Sequence, residues 1–382
     1  MIPKLLLRAA LLAPLGLACV AVDPNVAPVT PGASPGSTTV SQDAGFSSTR
    51  TPLITAPSGT GVLAVNPGPT VISQDCLNAI GAPQPRATLT PTPGISPTPR
   101  PSPTGTPPPT ATSGPPPAAT TTPFPREAYV PIALKQDDDF KDELMDILAD
   151  DADSYAFLIK DLESGRGAAH NTDRVFYAAS VFKLFVMYEV FIQQSQNRVA
   201  WDGELVVTPY YDSFALAPRR TELCQVLSVA EAMHLMLAIS DNAAAVLLQD
   251  LVGSSAVNSS LETLGIKTSG LFEDGLPLTA ADVALLLEAI ARGATVSRDA
   301  STDMLQLMSR EELDNGLEAG IPAGENVVVA HKTGNWSDAT HDAGVVFAPF
   351  GPYLFVVLSD TNHETRLIKA LSTAAYDYFK DH

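Results

Sequence analysis

Val175-Phe176-Tyr177-Ala178-Ala179-Ser180-Val181-Phe182-Lys183-Leu184-Phe185-Val186-Met187-Tyr188 reads as a short strand, Val175–Ala178, running into a helix that opens at Ser180. In that helix Val181, Phe182, Leu184, Phe185, Val186 and Tyr188 fall nearly all round the axis, so it is predicted to be buried. A buried helix needs neighbours, and the sequence that follows supplies them: the pattern stays largely helical to about Arg292. Ser228 with Glu231, and Thr279 with Asp282, each read as a capping box ahead of an apolar run. Gly253, Gly265 and Gly293 stand where those helices should stop. Upstream, a helix is predicted over Asp139–Leu148 and a strand over Tyr155–Leu162. Downstream, strands are predicted at Val327–Ala330, Ala343–Ala348 and Tyr353–Leu358, and a last helix over roughly Thr365–Phe379. Helices inserted between the first and last strands imply an α+β chain: a sheet domain, a helical lobe and a cleft between them.

All of this lies in the later part of the chain. Of 33 prolines in 382 residues, 24 fall between Pro24 and Pro125, which leaves 126–382 as the stretch able to bury a sizeable core. Residues 23–125 are read as a disordered tether, polar and Gly/Ser/Thr/Pro-rich at first and a Pro/Thr tract from Pro83 to Pro125. As polyproline II, at about 3.1 Å per residue, that tract would reach roughly 130 Å. Residues 1–22 carry Lys4 and Arg8 ahead of the apolar run Ala9–Ala18, which is too short to span a bilayer and has the layout of a secretory signal. An extracytoplasmic location in the cell envelope is therefore expected. Leu15-Gly16-Leu17-Ala18-Cys19 resembles a lipobox, so a lipid on Cys19 and ordinary cleavage nearby both stay open, as do an anchored and a secreted protein. Five Lys/Arg and three Asp/Glu precede residue 126, leaving 18 against 39 in the remainder; such a surface repels nucleic acid and anionic lipid. Apart from that lipid, no contact with membrane is expected. Three cysteines do not make a disulfide framework, and a bridge from Cys76 in the tether to Cys224 in the domain is not expected.

Three short segments carry chemistry. Ser180 and Lys183 are spaced i, i+3, which sets a lysine amine on the same helix face as a hydroxyl. A hydroxyl is a poor nucleophile at neutral pH, and a desolvated lysine of lowered pKa can serve as its base. Alone, the pair is weak evidence and more often marks an ordinary helix start. Ser240-Asp241-Asn242 lies between two predicted helices, where it can aim a hydroxyl and an amide into a cleft or simply cap a helix. Lys332-Thr333-Gly334 follows the apolar run Val327–Ala330, so a strand edge presents an ammonium, a hydroxyl and a glycine to a carboxylate lying alongside. Each tripeptide is expected by chance roughly 0.05 times in a chain of this length, so their joint occurrence, in order, decides for the set over its parts.

Taken together the segments resemble those of class A β-lactamases and penicillin-binding proteins. The similarity spans about 135–382, and extends to Tyr177-Ala178-Ala179 before the serine and to Thr340-His341-Asp342. It implies a five-stranded antiparallel sheet flanked by helices, with an all-helical lobe. It also implies the roles: Ser180 attacks an amide or lactam carbonyl, Lys183 takes its proton, and Ser240 relays a proton to the leaving nitrogen. Asn242, Lys332, Thr333, Gly334 and Asn335 bind substrate, the backbone N–H groups of Ser180 and Asn335 meeting the oxyanion. The expected partner is a small-molecule β-lactam or a peptidoglycan stem peptide, and the expected form is a monomer.

Two departures from the family pattern stand out. Relatives hydrolyse the acyl-enzyme with a water held by a glutamate in an Ω-loop, and this chain has no such segment; Ser240 to Lys332 spans 92 residues, roughly a dozen fewer than usual. Glu273 or Asp274 in the shortened loop is the candidate to replace it, the other reading being a solvated acidic turn. No arginine lies on Ala343–Ala348, where relatives grip a carboxylate; Arg366 is the candidate substitute, or else makes an exposed ion pair. No cofactor and no metal are expected, because the six histidines show no ligand spacing. His331 and His341 either line the cleft or serve a structural or supporting role, the latter being favoured, and Tyr210, Tyr211 and Trp336 either flank its mouth or pack. Three functions fit: a β-lactam-reactive hydrolase, a D,D-peptidase, and a surface protein that binds β-lactam or wall without turnover.

Overall fold

The computed structural model describes residues 56, 70–81, 128–216, 220–273 and 275–382, all within the unit Thr51–His382. In chain order the strands are β1 (Val71–Ile72), β2 (Lys135–Gln136), β3 (Tyr155–Asp161), β4 (Arg166–His170), β5 (Phe176–Tyr177), β6 (Glu204–Val206), β7 (Gln225–Ser228), β8 (Pro277–Leu278), β9 (Val328–Trp336), β10 (Ala339–Ala348) and β11 (Gly351–Ser359). The helices are α1 (Gln74–Gly81), α2 (Asp138–Leu148), α3 (Lys183–Ser195), α4 (Pro209–Asp212), α5 (Val229–Ala238), α6 (Asn242–Val252), α7 (Ser254–Leu264), α8 (Ala280–Ala291), α9 (Arg298–Met308) and α10 (Thr365–Asp381).

The main sheet runs β2-β4-β3-β11-β10-β9. Every neighbouring pair is antiparallel except the two-residue contact of β2 with β4. The expected five-stranded antiparallel sheet is therefore present, with β2 added at its edge. β3, β10 and β11 are enclosed on both faces, which explains why they read as near-continuous apolar runs. On one face α2 and α10 pack; α2 sets Phe140, Leu144 and Leu148 four residues apart on one stripe. α8 covers the other face, and α3, α5, α6, α7 and α9 form the helical lobe beyond it. α3 is buried along most of its length, as its all-round apolar pattern requires.

Two local readings change and one holds. β4 was not legible, because Arg166-Gly167-Ala168-Ala169-His170 has no apolar alternation; its glycine is demanded by packing, since a Cβ there would collide with the Ile159 carbonyl. Ser228 and Glu231 form the complete capping box. Thr279 caps α8 by accepting from Asp282 N, but the Asp282 carboxylate turns to the N–H groups of Thr268 and Ser269 at 3.2 and 2.8 Å.

The disulfide expectation is overturned. Cys76 and Cys224 are bridged, with Cα atoms 5.5 Å apart. Leading into it, β1 adds to β7, Val71 opposite Val226 and Ile72 opposite Gln225, so that β1-β7-β6 make a small sheet in the lobe. Backbone pairing brought together cysteines whose surroundings in sequence gave no periodic signal. The described segments that end at Gly81 and begin at Ala128 are each held to the domain, the first by the Cys76–Cys224 bridge and the second by Tyr129 Oη donating to Glu288 Oε1 at 3.0 Å. The leader with Cys19, residues 23–55, 57–69 and 82–125 of the tether reading, and residues 126–127 of the domain reading lie outside the described residues.

Candidate active site

Ser180 sits, half-buried, in a 3-10 turn, Ala179–Phe182, that feeds α3, so the α-helix proper begins at Lys183. The turn is entered through Ala179 at φ 45°, a left-handed conformation that costs a non-glycine residue on the order of 1–3 kcal/mol and persists only when the surroundings enforce it. They do so here. Ala178 N donates to Leu276 O at 2.8 Å, and β5 pairs with β8. His341 holds the same segment to β10: its Nε2 lies 2.8 Å from Tyr177 O, while Ser359 N donates to its Nδ1 at 3.1 Å. Burial lowers the His341 pKa to about 4, so the ring is neutral, with Nδ1 accepting and Nε2–H donating.

One turn after Ser180, the Lys183 side chain is fully enclosed. Its Nζ reaches Ser240 O at 2.6 Å, Ser240 Oγ at 3.0 Å and Asn242 Oδ1 at 2.7 Å. Burial first, and then the positive charge of Lys332, pull its pKa well below the ordinary lysine value, against the opposing pull of Glu311 and Asp241. A neutral amine keeps two N–H donors and a lone pair. Of its three contacts the Ser240 hydroxyl is the one able to donate back, so a proton can pass between Ser240 Oγ and Nζ.

Ser240 occupies the joint between α5 and α6 at φ 59°. Asp241 fixes that joint. Its carboxylate caps α6 through Ala244 N at 3.0 Å and accepts from Arg220 N, Thr221 N and Thr221 Oγ1 at 3.1 to 3.3 Å. The middle residue of the motif is thus the anchor, and its neighbours on either side face Lys183.

On the opposite wall β9 is the last strand of the sheet and packs on the Ala179–Phe182 turn at Gly334. Thr333 N donates away from β10, to Glu311 Oε2 at 3.1 Å. N–H groups two residues apart on a strand point the same way, so Asn335 N–H also faces the free edge. The buried Lys332 ammonium is paired with Glu311, whose Oε1 also accepts from Thr333 Oγ1 at 2.7 Å. Sequence reasoning missed Glu311, because Arg310-Glu311-Glu312 belongs to no motif.

Ser180, Lys183, Ser240 and Asn242 are thus linked through one turn and one amine, with Lys332, Thr333, Gly334 and Asn335 on the strand beside them. The two reserve candidates are not brought in. Glu273 is exposed, in a tight turn closed by the bridge of Phe272 with Gly275, and Asp274 lies outside the described residues. Arg366 is 73% exposed, 3.6 Å from Glu364, and borders a groove between α2 and α10 on the far face of the sheet. His331 is likewise away from the nucleophile, against Asp342 and Glu318. Trp336 is half-exposed and tilted against Tyr177, 6.1 Å between ring centres, beside the segment that precedes Ser180. Tyr210 stacks edge-on with Tyr211, its neighbour on α4, and with Phe214 just beyond that helix, and α4 packs on α6. Among the described residues no group of three or more His, Cys, Asp or Glu is placed to hold a metal ion.

Comparison with known proteins shows the family and the fold. A family described as the beta-lactamase enzyme family matches residues 139–379. No curated protein matches the chain. Among solved structures, PBP-A is similar at 22% identity and a TM-score of 0.61, over 66% of this chain and 100% of its own. A mutant of PBP-A, also at 22% identity, was solved as an acyl-enzyme complex with penicillin G. A beta-lactamase from Sphaerobacter thermophilus is similar at 24% identity and a TM-score of 0.58, over 63% of this chain and 97% of its own.

Proposed function

The chain belongs to the beta-lactamase enzyme family, and on that premise we propose that it is a serine hydrolase acylated at Ser180 by β-lactams or related amides and slow to release the acyl group. The observation that carries the reading is the enclosed Lys183 amine, held among Ser240 and Asn242 and poorer in protons than an ordinary lysine. Lys183 Nζ takes the Ser180 hydroxyl proton as Oγ bonds to the carbonyl carbon. The carbonyl π pair moves onto oxygen and is met by the N–H groups of Ser180 and Asn335; one such donor is worth about 3–4 kcal/mol of barrier. When the C–N bond breaks, the nitrogen receives its proton from Ser240 Oγ, which recovers one from Lys183.

Deacylation needs a base for water. Among the described residues, the loop in which Glu273 stands exposed brings no bonded carboxylate to the Ser180 turn, which favours a long-lived acyl-enzyme. The same observation keeps the D,D-peptidase reading, because that reaction shares the acylation machinery and does without an Ω-loop base. Export is part of the proposal: the Cys76–Cys224 bridge suits an oxidising compartment, in line with the leader, and a lipid on Cys19 would hold the protein at the envelope.

Time-resolved intact mass after addition of a penicillin tests the proposal. The expected result is a one-to-one adduct on Ser180 that forms in seconds to minutes and outlasts the free drug. Absence of an adduct would remove the hydrolase reading in favour of binding without turnover, and turnover at the rate of efficient β-lactamases would remove slow deacylation. Release of D-Ala from a D-Ala-D-Ala peptide separates the peptidase.

A further inference from the structure

Glu311 sits on the donors that the Lys332-Thr333-Gly334 strand would hold out to a substrate carboxylate. Its Oε1 accepts from Lys332 Nζ and Thr333 Oγ1, and its Oε2 from Thr333 N at the free edge of β9. An ammonium, a hydroxyl and an edge N–H converging on two oxygens is the chemistry by which a strand edge recognises a carboxylate. Here the carboxylate belongs to the chain itself. The side chains of Glu311 and Lys332 are both fully enclosed, and the segment that carries Glu311 is fastened at the next residue, Glu312 N donating to Ala238 O at 2.7 Å. A buried pair of this kind resists separation, because either partner alone is an unpaired charge away from water. A second carboxylate arriving at the same donors is repelled by the first, and β10, the neighbouring strand, offers no Lys or Arg to receive it.

We propose that Glu311 is a specificity-determining residue: it fills the carboxylate position of the cleft from within. The site then accepts acyl donors that are uncharged at that position, such as esters or amides, in preference to free carboxylates. The inference rests on the reading of Ser180 as the acylated nucleophile.

The test compares a penicillin with its methyl ester, measuring second-order rate constants for adduct formation on Ser180 by intact mass. On the unaltered protein the ester is expected to acylate at least as fast as the acid. Glu311→Gln is expected to raise the acid rate relative to the ester rate by tenfold or more. Acid outrunning ester by tenfold on the unaltered protein overturns the proposal. So does a Glu311→Gln protein that is slowed equally towards both, since general damage leaves the ratio unmoved. The unaltered protein decides by itself if loss of the Lys332 counter-charge prevents the variant from folding. Failure of both compounds to form any adduct instead overturns the acylation reading on which the inference rests, whereas an adduct with the opposite preference overturns the role of Glu311 alone.

Discussion

Gly334 and Val181 stand so close that a Cβ on Gly334 would lie 2.9 Å from Val181 Cγ2, with Ala178 O only 3.3 Å away. The glycine is what lets β9 press against the turn carrying Ser180, and so sets the spacing between the nucleophile and the Asn335 N–H. Gly334→Ala has to part the strand from the turn by a few tenths of an ångström. Overpacking of this kind costs about 1–3 kcal/mol, while a displacement approaching 1 Å at a reacting centre costs about 10²-fold in rate. The expected outcome is a folded protein, by circular dichroism, with adduct formation slowed about 10- to 100-fold. Wild-type acylation in a folded Gly334→Ala protein would show that this contact does not set the geometry.

Lys183 must lose a proton to act as base, and burial beside Lys332 lowers its affinity for that proton. Acylation should therefore rise with pH along an acid limb placed well below the ordinary lysine range. Lys183→Arg, which stays charged, should slow acylation by about 10²–10⁴-fold, the usual share of a general base. A pH profile of adduct formation checks both; an unchanged rate in Lys183→Arg would assign the base elsewhere.

His331 Nδ1 lies 2.8 Å from Asp342 Oδ1, with Glu318 Oε2 3.7 Å from the other ring nitrogen. Burial alone would favour the neutral ring, but the charge and hydrogen bond of Asp342, helped by Glu318 and Glu311, raise the pKa to about 10. A raised pKa stabilises the fold in full below the unfolded value, 6.5, and the contribution is lost as pH climbs through about 10. Its size is on the order of a few kcal/mol. In melts between pH 6 and 11, the stability gap between wild type and His331→Gln should be widest at the acid end and shrink towards pH 10. A constant gap would mean that the ring does not titrate in this window.

These positions differ in how readily a sequence shows them. Ser180, Lys183, Ser240 and Lys332 were legible because a reaction needs those residue types at short, fixed spacings, and α3 was legible because a helix buried all round must be apolar all round. β3, β10 and β11 were legible as apolar runs, whereas the antiparallel sheet they form was implied by the family resemblance and not by those runs. Glu311 was not legible: its partners lie more than 20 residues away, and nothing local distinguishes a carboxylate that will fill a site from one that meets water. β4 and the Cys76–Cys224 bridge escaped for a related reason, since Arg166-Gly167-Ala168-Ala169-His170 and Val71-Ile72 are held by pairing with distant strands and not by their own pattern.

The bridge joins residues 148 apart and holds β1 on β7. It closes the covalent chain from Cys76 to Cys224 into a ring. Cleavage anywhere between 82 and 127 should then leave the N-terminal piece covalently attached. On gels the cut protein should keep its full mass without reductant and separate into two fragments with it. Replacing both cysteines by serine should remove that linkage and lower stability by about 2–4 kcal/mol in denaturant titrations, the usual effect of cross-linking a long loop. If the fragments part without reductant, Cys76 is free and β1 is held by its two residue pairs and the bond from Ser73 N to Cys224 O, too few to keep a strand in place.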